Sequence, residues 1–260
     1  MDNTFDIAYV FDFIPKLLAY VQITLLIVAG SVGFGLIVGF LWALPRMYNV
    51  PVLKHLAALC VSFFRGTPVL ILLFLIYYGV PEILKLVSID VTRVPVLAFV
   101  ILTYALNSGA YICEIIRGAV AAVDRGQMEA AYSVGMTKVQ AFRRILLPQA
   151  LAVSVPNFAN KVLANLKETS LAYTLGTMDI SGKAQTLGST TMHFFETYIA
   201  LSLIYFVIAM ILEQLFLLAE RRLHRHENHY RARTSFKLFR SIRQTGKEGE
   251  GLFNSTRSLS

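Results

Sequence analysis

Of the polar and charged residues that stand inside the long apolar stretches, eight are candidates to meet a solute, and their types define what they could do. Arg65 and Thr67 interrupt the run that begins at Leu53. Asn107, Ser108 and Tyr111 lie in the run after Pro95, and Lys167, Glu168 and Ser170 close the run after Gln149. Ionisable groups in such surroundings are costly, which makes them functional candidates by default. A guanidinium such as Arg65 can hold a carboxylate bidentately. Glu168 can hold an ammonium, and Asn107 and Thr67 can add hydrogen bonds. The competing reading is that Arg65 and Glu168 pair with other protein groups and shape the fold. At about 1.5 Å of rise per residue, Arg65 lies about 15 Å beyond His55, Asn107 about 18 Å beyond Pro95 and Glu114 about 28 Å beyond it. Depth therefore groups Asn107, Ser108 and Tyr111 around a central cavity. Glu114 and Arg117, one helical turn apart near the far end, read as a structural ion pair or a gate.

No catalytic constellation accompanies them. The stretch from Gly176 to Ala184 comes nearest to a phosphate-cradling loop, but its spacing is one residue too long and Ala184 stands where a magnesium-binding hydroxyl is needed. The five histidines make no zinc-protease signature. Cys60 and Cys113 both lie in apolar runs and read as packing residues rather than a disulfide or a metal pair.

The elements that must position these groups are membrane spans. The chain of 260 residues is 56% hydrophobic and 15% charged, with mean hydropathy +0.60. A soluble domain would carry about a quarter charged residues. A span needs about 20 apolar residues, and five such runs are present: Leu17 to Leu44, Leu53 to Val80, Pro95 to Ile116, Gln149 to Tyr173 and Tyr198 to Ala219. The first carries Ser31, Gly35 and Gly39 at four-residue spacing, which lets helices approach closely. Pro156 is expected to perturb the fourth, and a break is expected at Thr169-Ser170, since broken helices present backbone groups to a polar cavity. Lysines and arginines set the orientation: seventeen fall on one side of the five runs, including Arg117, Arg125, Lys138, Arg143, Arg144 and ten between Arg221 and Arg257, against four on the other. The larger group marks the cytoplasm, so the N-terminus lies outside. A cleavable signal peptide is not expected, since Asp2, Asp6 and Asp12 stand in place of a basic n-region and the apolar run after them is too long.

Between the third and fourth runs lies a polar, helix-forming segment, Glu129 to Pro148. Gln127 to Ser133 favour helix, Gly135 can take the left-handed conformation that closes it, Thr137 can cap the next helix, and Pro148 opens another apolar segment. Its apolar knobs are Met128, Ala131, Tyr132, Val134 and Met136, with Glu129 offering an anion to a partner. The alternative is an amphipathic helix on the membrane surface with Arg143 and Arg144 facing lipid phosphates.

Glu129-Ala130-Ala131, then Gly135, then Ile145, Leu147 and Pro148 resemble the cytoplasmic signature of permease subunits of ATP-binding-cassette importers. The segments FFRGTP from Phe63, FLIYYG from Phe74, AYICEIIRGAV from Ala110, RGQMEAA from Arg125 and LKETSLAY from Leu166 resemble the polar amino acid branch, which often has Asp in place of Glu168. The resemblance covers roughly residues 15 to 222. It implies an all-α membrane permease of the type I importer kind: an extracytoplasmic segment 1–16, a five-span domain 17–222 with a cytoplasmic coupling loop at about 117–148, and a basic tail 223–260 beyond the family core. It implies docking of Met128, Glu129, Ala130, Ala131, Tyr132 and Gly135 on a separate ATPase, which would hold ATP and magnesium, with no cofactor in this chain. It also implies a second permease subunit, identical or related, and an extracytoplasmic solute-binding protein, in a bacterial inner membrane. Arg65, Thr67, Asn107, Ser108, Tyr111, Lys167, Glu168 and Ser170 then form the substrate pathway. Other solutes such as cystine or an opine stay open, as does an ion-gradient-driven carrier; a membrane enzyme ranks last. The basic tail is expected to meet anionic lipid, and since much of the net charge of +8 comes from it, the charge is no nucleic-acid signal. The glycosylation pattern Asn254-Ser255-Thr256 falls on the expected cytoplasmic side.

Overall fold

The computed structural model describes residues 5–91 and 93–223, and every regular element among them is helical. In chain order these are α1 (Ile7–Leu18), α2 (Val21–Met47), α3 (Leu53–Gly66), α4 (Val69–Leu86), α5 (Val96–Ala121), α6 (Arg125–Ser133) and α7 (Lys138–Ala141). A π turn (Phe142–Leu146) leads into α8 (Leu147–Glu168), a 3-10 stretch (Thr169–Leu175) and α9 (Ile180–Thr191). The last helix, α10, runs Phe194–Leu223. Met1–Leu217 form one compact unit, and a second begins at Leu218. The expected basic tail, with its glycosylation pattern, lies outside the described residues beyond Leu223.

The fold is organised around α2 and α5, whose mutual contact is the most extensive. Gly35 and Gly39 are buried on α2. A Cβ on Gly39 would lie 2.8 Å from the Gly109 carbonyl oxygen and from Ile112 Cγ2, and one on Gly35 would lie 3.0 Å from Ser108 Cβ. The expected small-residue stripe is thus a backbone-to-backbone seam.

Two boundaries differ from expectation. The segment before the first span is itself a helix, α1, capped by Asp6, which accepts from the Ala8 N–H at 2.9 Å. Val10, Phe13 and Leu17 are buried against Ile180, Ala184, Leu201 and Ile204. Leu17 and Leu18 belong to α1, and the long helix starts at Val21 after a turn closed by the Tyr20 N–H on the Leu17 carbonyl. No Gly or Pro marks that turn in the sequence. The second expected run is two helices, because Pro68 has no N–H to continue α3 and pushes Thr67 to extended backbone, ψ 131°.

Among the described residues, four helices are long and apolar enough to cross a membrane: α2, α4, α5 and α10. Helix α8, with 22 residues, has the length but carries Lys161 and Asn165 among its buried residues. It continues through Pro156 and tightens to 3-10 geometry after Glu168, where the expected break falls. Helix α9 was not anticipated. Gly176 turns the chain at φ +83°, and Asp179 caps α9 by accepting from the Gly182 N–H at 2.9 Å. Burial pushes the Asp179 carboxyl above its ordinary range, against the opposing pull of the Gly182 and Ser181 N–H groups.

Candidate functional site

The expected pathway residues divide into three groups. The first meets between α5 and α8. Asn107, at 4% exposure, donates through Nδ2 to the Phe64 carbonyl at 3.0 Å. That bond turns its Oδ1 toward α8, where it accepts from Lys161 Nζ at 2.9 Å. Lys161 Nζ also lies 3.2 Å from Glu168 Oε2 and 4.5 Å from the centroid of the Tyr111 ring. The Arg65 guanidinium stands 5.3 Å from the same ring. Arg65 is exposed, and no carboxylate pairs with it among the described residues. The Glu168 backbone is fixed from α5 as well, its carbonyl accepting from the Tyr104 hydroxyl at 2.5 Å. Arg65, Asn107, Tyr111 and Glu168 therefore form one polar seam, completed by Lys161, which is not among the expected pathway residues. Its spacing of seven from Glu168 places both on one helix face, and that was the available signal.

The second group lies elsewhere. Lys167 and Ser170 line a groove of about 500 Å³ against α10, with Tyr198, Leu201, Ser202 and Tyr205. The Ser170 hydroxyl is spent on the Lys167 carbonyl at 2.8 Å. The third group serves packing: Ser108 is buried in the α2–α5 seam, and Thr67 closes α3 by donating to the Phe63 carbonyl at 2.8 Å.

Glu114 and Arg117 do meet, at 3.7 Å. A second cation, Arg46 from α2, bonds Glu114 Oε1 and approaches Cys113 Sγ at 3.4 Å. Arg46 was missed because its partner is 68 positions away.

The polar hairpin forms much as its residues imply. Asp124 caps α6 through the Gly126 N–H at 2.8 Å. Gly135 takes φ +81°, and the Gly135 and Met136 N–H groups close on the Tyr132 and Ala131 carbonyls, each at 3.0 Å. Thr137 and Gln140 form a capping box on α7. Gln149 on α8 donates to Gln127 on α6 at 2.6 Å. Of the expected knobs, Tyr132 is 45% and Val134 75% exposed, whereas Ala131 is buried within the hairpin and supports it from inside. Glu129, Ala130 and Gly135 are exposed, and Met128 is half-buried.

A bundle with a charged seam and a structured polar hairpin matches known proteins over most of its length. The family model of the binding-protein-dependent transport system inner membrane component matches residues 35–225, from within α2 through α10. The chain belongs to this family. It is 45% identical to the L-cystine transport system permease protein TcyL of Bacillus subtilis, covering 87% of this chain and 95% of TcyL. It is 41% identical to the probable amino-acid ABC transporter permease protein PatM of Vibrio harveyi, covering 85% and 97%. Its fold is similar to a chain of an amino acid ABC transporter crystallised with histidines, at TM-score 0.74 and 34% identity over 84% of this chain and 99% of that one. As an inner membrane component of such a system, the chain is a multi-pass transport subunit rather than an enzyme.

Proposed function

We propose that this chain is the membrane permease subunit of an ATP-driven importer of an amino acid, and that the Arg65–Tyr111–Lys161–Asn107–Glu168 seam lies on the substrate's path. The observation that carries the reading is the seam itself. Charges of both signs and an aromatic face meet between α5 and α8, where a zwitterion could exchange its hydration for fixed partners. The names of the relatives support an amino acid or a near neighbour of one, with cystine as the leading variant because TcyL carries it in its name.

In this proposal the chain crosses the membrane five times, through α2, the α3–α4 pair, α5, α8 and α10, with the N-terminus outside and the hairpin in the cytoplasm. Helix α8 can be polar because its buried Lys161 and Asn165 face other helices. Two such subunits, identical or related, form the pathway. A pair of ATPases, holding ATP and magnesium, docks on Glu129, Ala130, Tyr132 and Gly135 with Met128 at the edge, and an extracytoplasmic binding protein delivers the solute. Glu114, Arg117 and Arg46 act as a structural ion cluster rather than a gate, since they join two helices already locked at Gly39 and Gly109.

A labelled-solute uptake panel in cells with and without this gene and its neighbours tests the reading. It covers the polar amino acids, cystine and an opine, with ATP depletion and, separately, collapse of the proton gradient. Uptake of one solute lost on ATP depletion alone is expected; uptake that follows the ion gradient refutes it. Arg65→Ala that leaves affinity and rate intact in an assembled complex removes Arg65 from the path.

A further inference from the structure

Lys161 is 7% exposed, and an ammonium so placed is costly unless its three N–H donors are met. They are met by an amide oxygen at 2.9 Å, a carboxylate oxygen at 3.2 Å and an aromatic face at 4.5 Å. That is the partner set a primary ammonium finds when it is recognised away from water. The set is fixed from outside: Asn107 cannot turn its amide without losing the Phe64 carbonyl, and the Glu168 backbone is held by Tyr104. Arg65, on the same Tyr111 ring, has no carboxylate among the described residues. The seam thus has its ammonium site filled from within and a carboxylate donor open.

We propose that Lys161 occupies the place of the substrate's ammonium while the pathway is empty, and that an entering zwitterion inserts into the Lys161–Glu168 pair. The substrate ammonium passes to Glu168 and Asn107, and its carboxylate to Lys161 and Arg65. The four-carbon stem of lysine lets its head swing where the Arg65 fork is stiffer. One internal ion pair becomes two, and the net charge of Arg65, Lys161 and Glu168 is unchanged because the guest is neutral. A cationic guest would displace Lys161 without offering it an anion; an anionic guest would leave Glu168 with nothing in exchange. Lys161 is on this account a specificity-determining residue that selects solutes carrying both groups. The proposal rests on the amino acid reading above.

The test is competition binding to the purified permease–ATPase complex without the binding protein, so that selectivity belongs to this chain. The probe is the amino acid identified by uptake, against its carboxamide, which lacks the carboxylate, and its N-acetyl derivative, which lacks the ammonium. Lys161→Gln is expected to weaken the zwitterion by about 10- to 100-fold, the worth of one charged hydrogen bond, and to strengthen the carboxamide. Glu168→Gln is expected to shift selectivity the other way, toward the N-acetyl anion, and serves if the first variant fails to assemble. A uniform loss across all three ligands, or unaltered selectivity in either assembled variant, makes the pair a structural tether and overturns the proposal. A wild-type complex that binds no amino acid overturns the functional reading instead.

Discussion

Replacing Gly39 by alanine tests whether α2 and α5 are held by contact of their backbones. The new Cβ would stand 2.8 Å from the Gly109 carbonyl oxygen and from Ile112 Cγ2, and 2.9 Å from Ile112 Cβ, where ordinary contact begins near 3.4 Å. The helices must part by about 0.6 Å or the neighbours must give. Neither neighbour can do so cheaply, since one is backbone and the other a β-branched side chain with a stiff χ1. Overpacking of this kind costs about 1–3 kcal/mol. The substitution also gains up to about 1 kcal/mol of helix propensity, which would mask part of the clash. Gly33→Ala removes that ambiguity: its Cβ meets nothing within 4 Å, so it keeps the gain and lacks the clash. The two variants should therefore differ by the clash alone, about 1–3 kcal/mol, or roughly 2–10 °C in melting temperature for a chain of this size. The measurement is thermal unfolding of each purified variant in one detergent. Midpoints that coincide, or a Gly39→Ala protein that melts above Gly33→Ala, would refute the reasoning about the seam.

Two further outcomes follow from single residues. Asp179 keeps its proton to a higher pH in the folded chain than in the unfolded one, so stability should fall as pH rises through the window above the ordinary carboxylate range and level off beyond it. Asp179→Asn, which still accepts from Gly182, should lose that slope and melt at or above wild type at neutral pH, whereas Asp179→Ala should lose about 1 kcal/mol with its cap; an Asn variant that retains the slope would show that another group carries it. Tyr132→Ala removes the 45% exposed ring of the hairpin and, if that ring anchors the ATPase, should weaken assembly by about 2 kcal/mol, or roughly 30-fold, without lowering the amount of permease in the membrane. Co-purification of the ATPase at wild-type yield would remove Tyr132 from the interface.

The hairpin was legible in the sequence because every boundary carries its own chemistry. Gly135 supplies a positive φ, Thr137 and Gln140 a capping box, and Pro148 a helix start. The glycines of α2 were legible for the same reason, as spacing along one helix. What escaped depends on residues far apart in the chain. The pairing of Arg46 with Glu114 and of Lys161 with Asn107 links separate helices, and nothing local announces either. Leu17 and Leu18, the end of α1, read as part of the first span because hydrophobicity continues across Ala19 and Tyr20 without a breaker. Helix α9, rich in Ser, Thr and Gly, reads as loop until Asp179 caps it and Ile180, Ala184 and Leu187 bury one side. The placement of Lys167 and Ser170 away from Arg65 reflects their different angular position from Glu168 at the tightened end of α8.

The hairpin joins the base of α5 to the base of α8, and Asn107 stands fourteen positions above Ala121 on the first while Lys161 stands fourteen above Leu147 on the second. At about 1.5 Å per residue both lie about 21 Å from their bases. Within the first unit, α5 and α8 are therefore two arms of equal length between the hairpin and the seam. A change of only about 5° in the angle between the arms moves the tips by about 1.8 Å at that length, enough to part the 2.9 Å bond between Lys161 and Asn107. On the reading proposed above, a tilt imposed at the hairpin end would need to be no larger than this to open or close the charged seam.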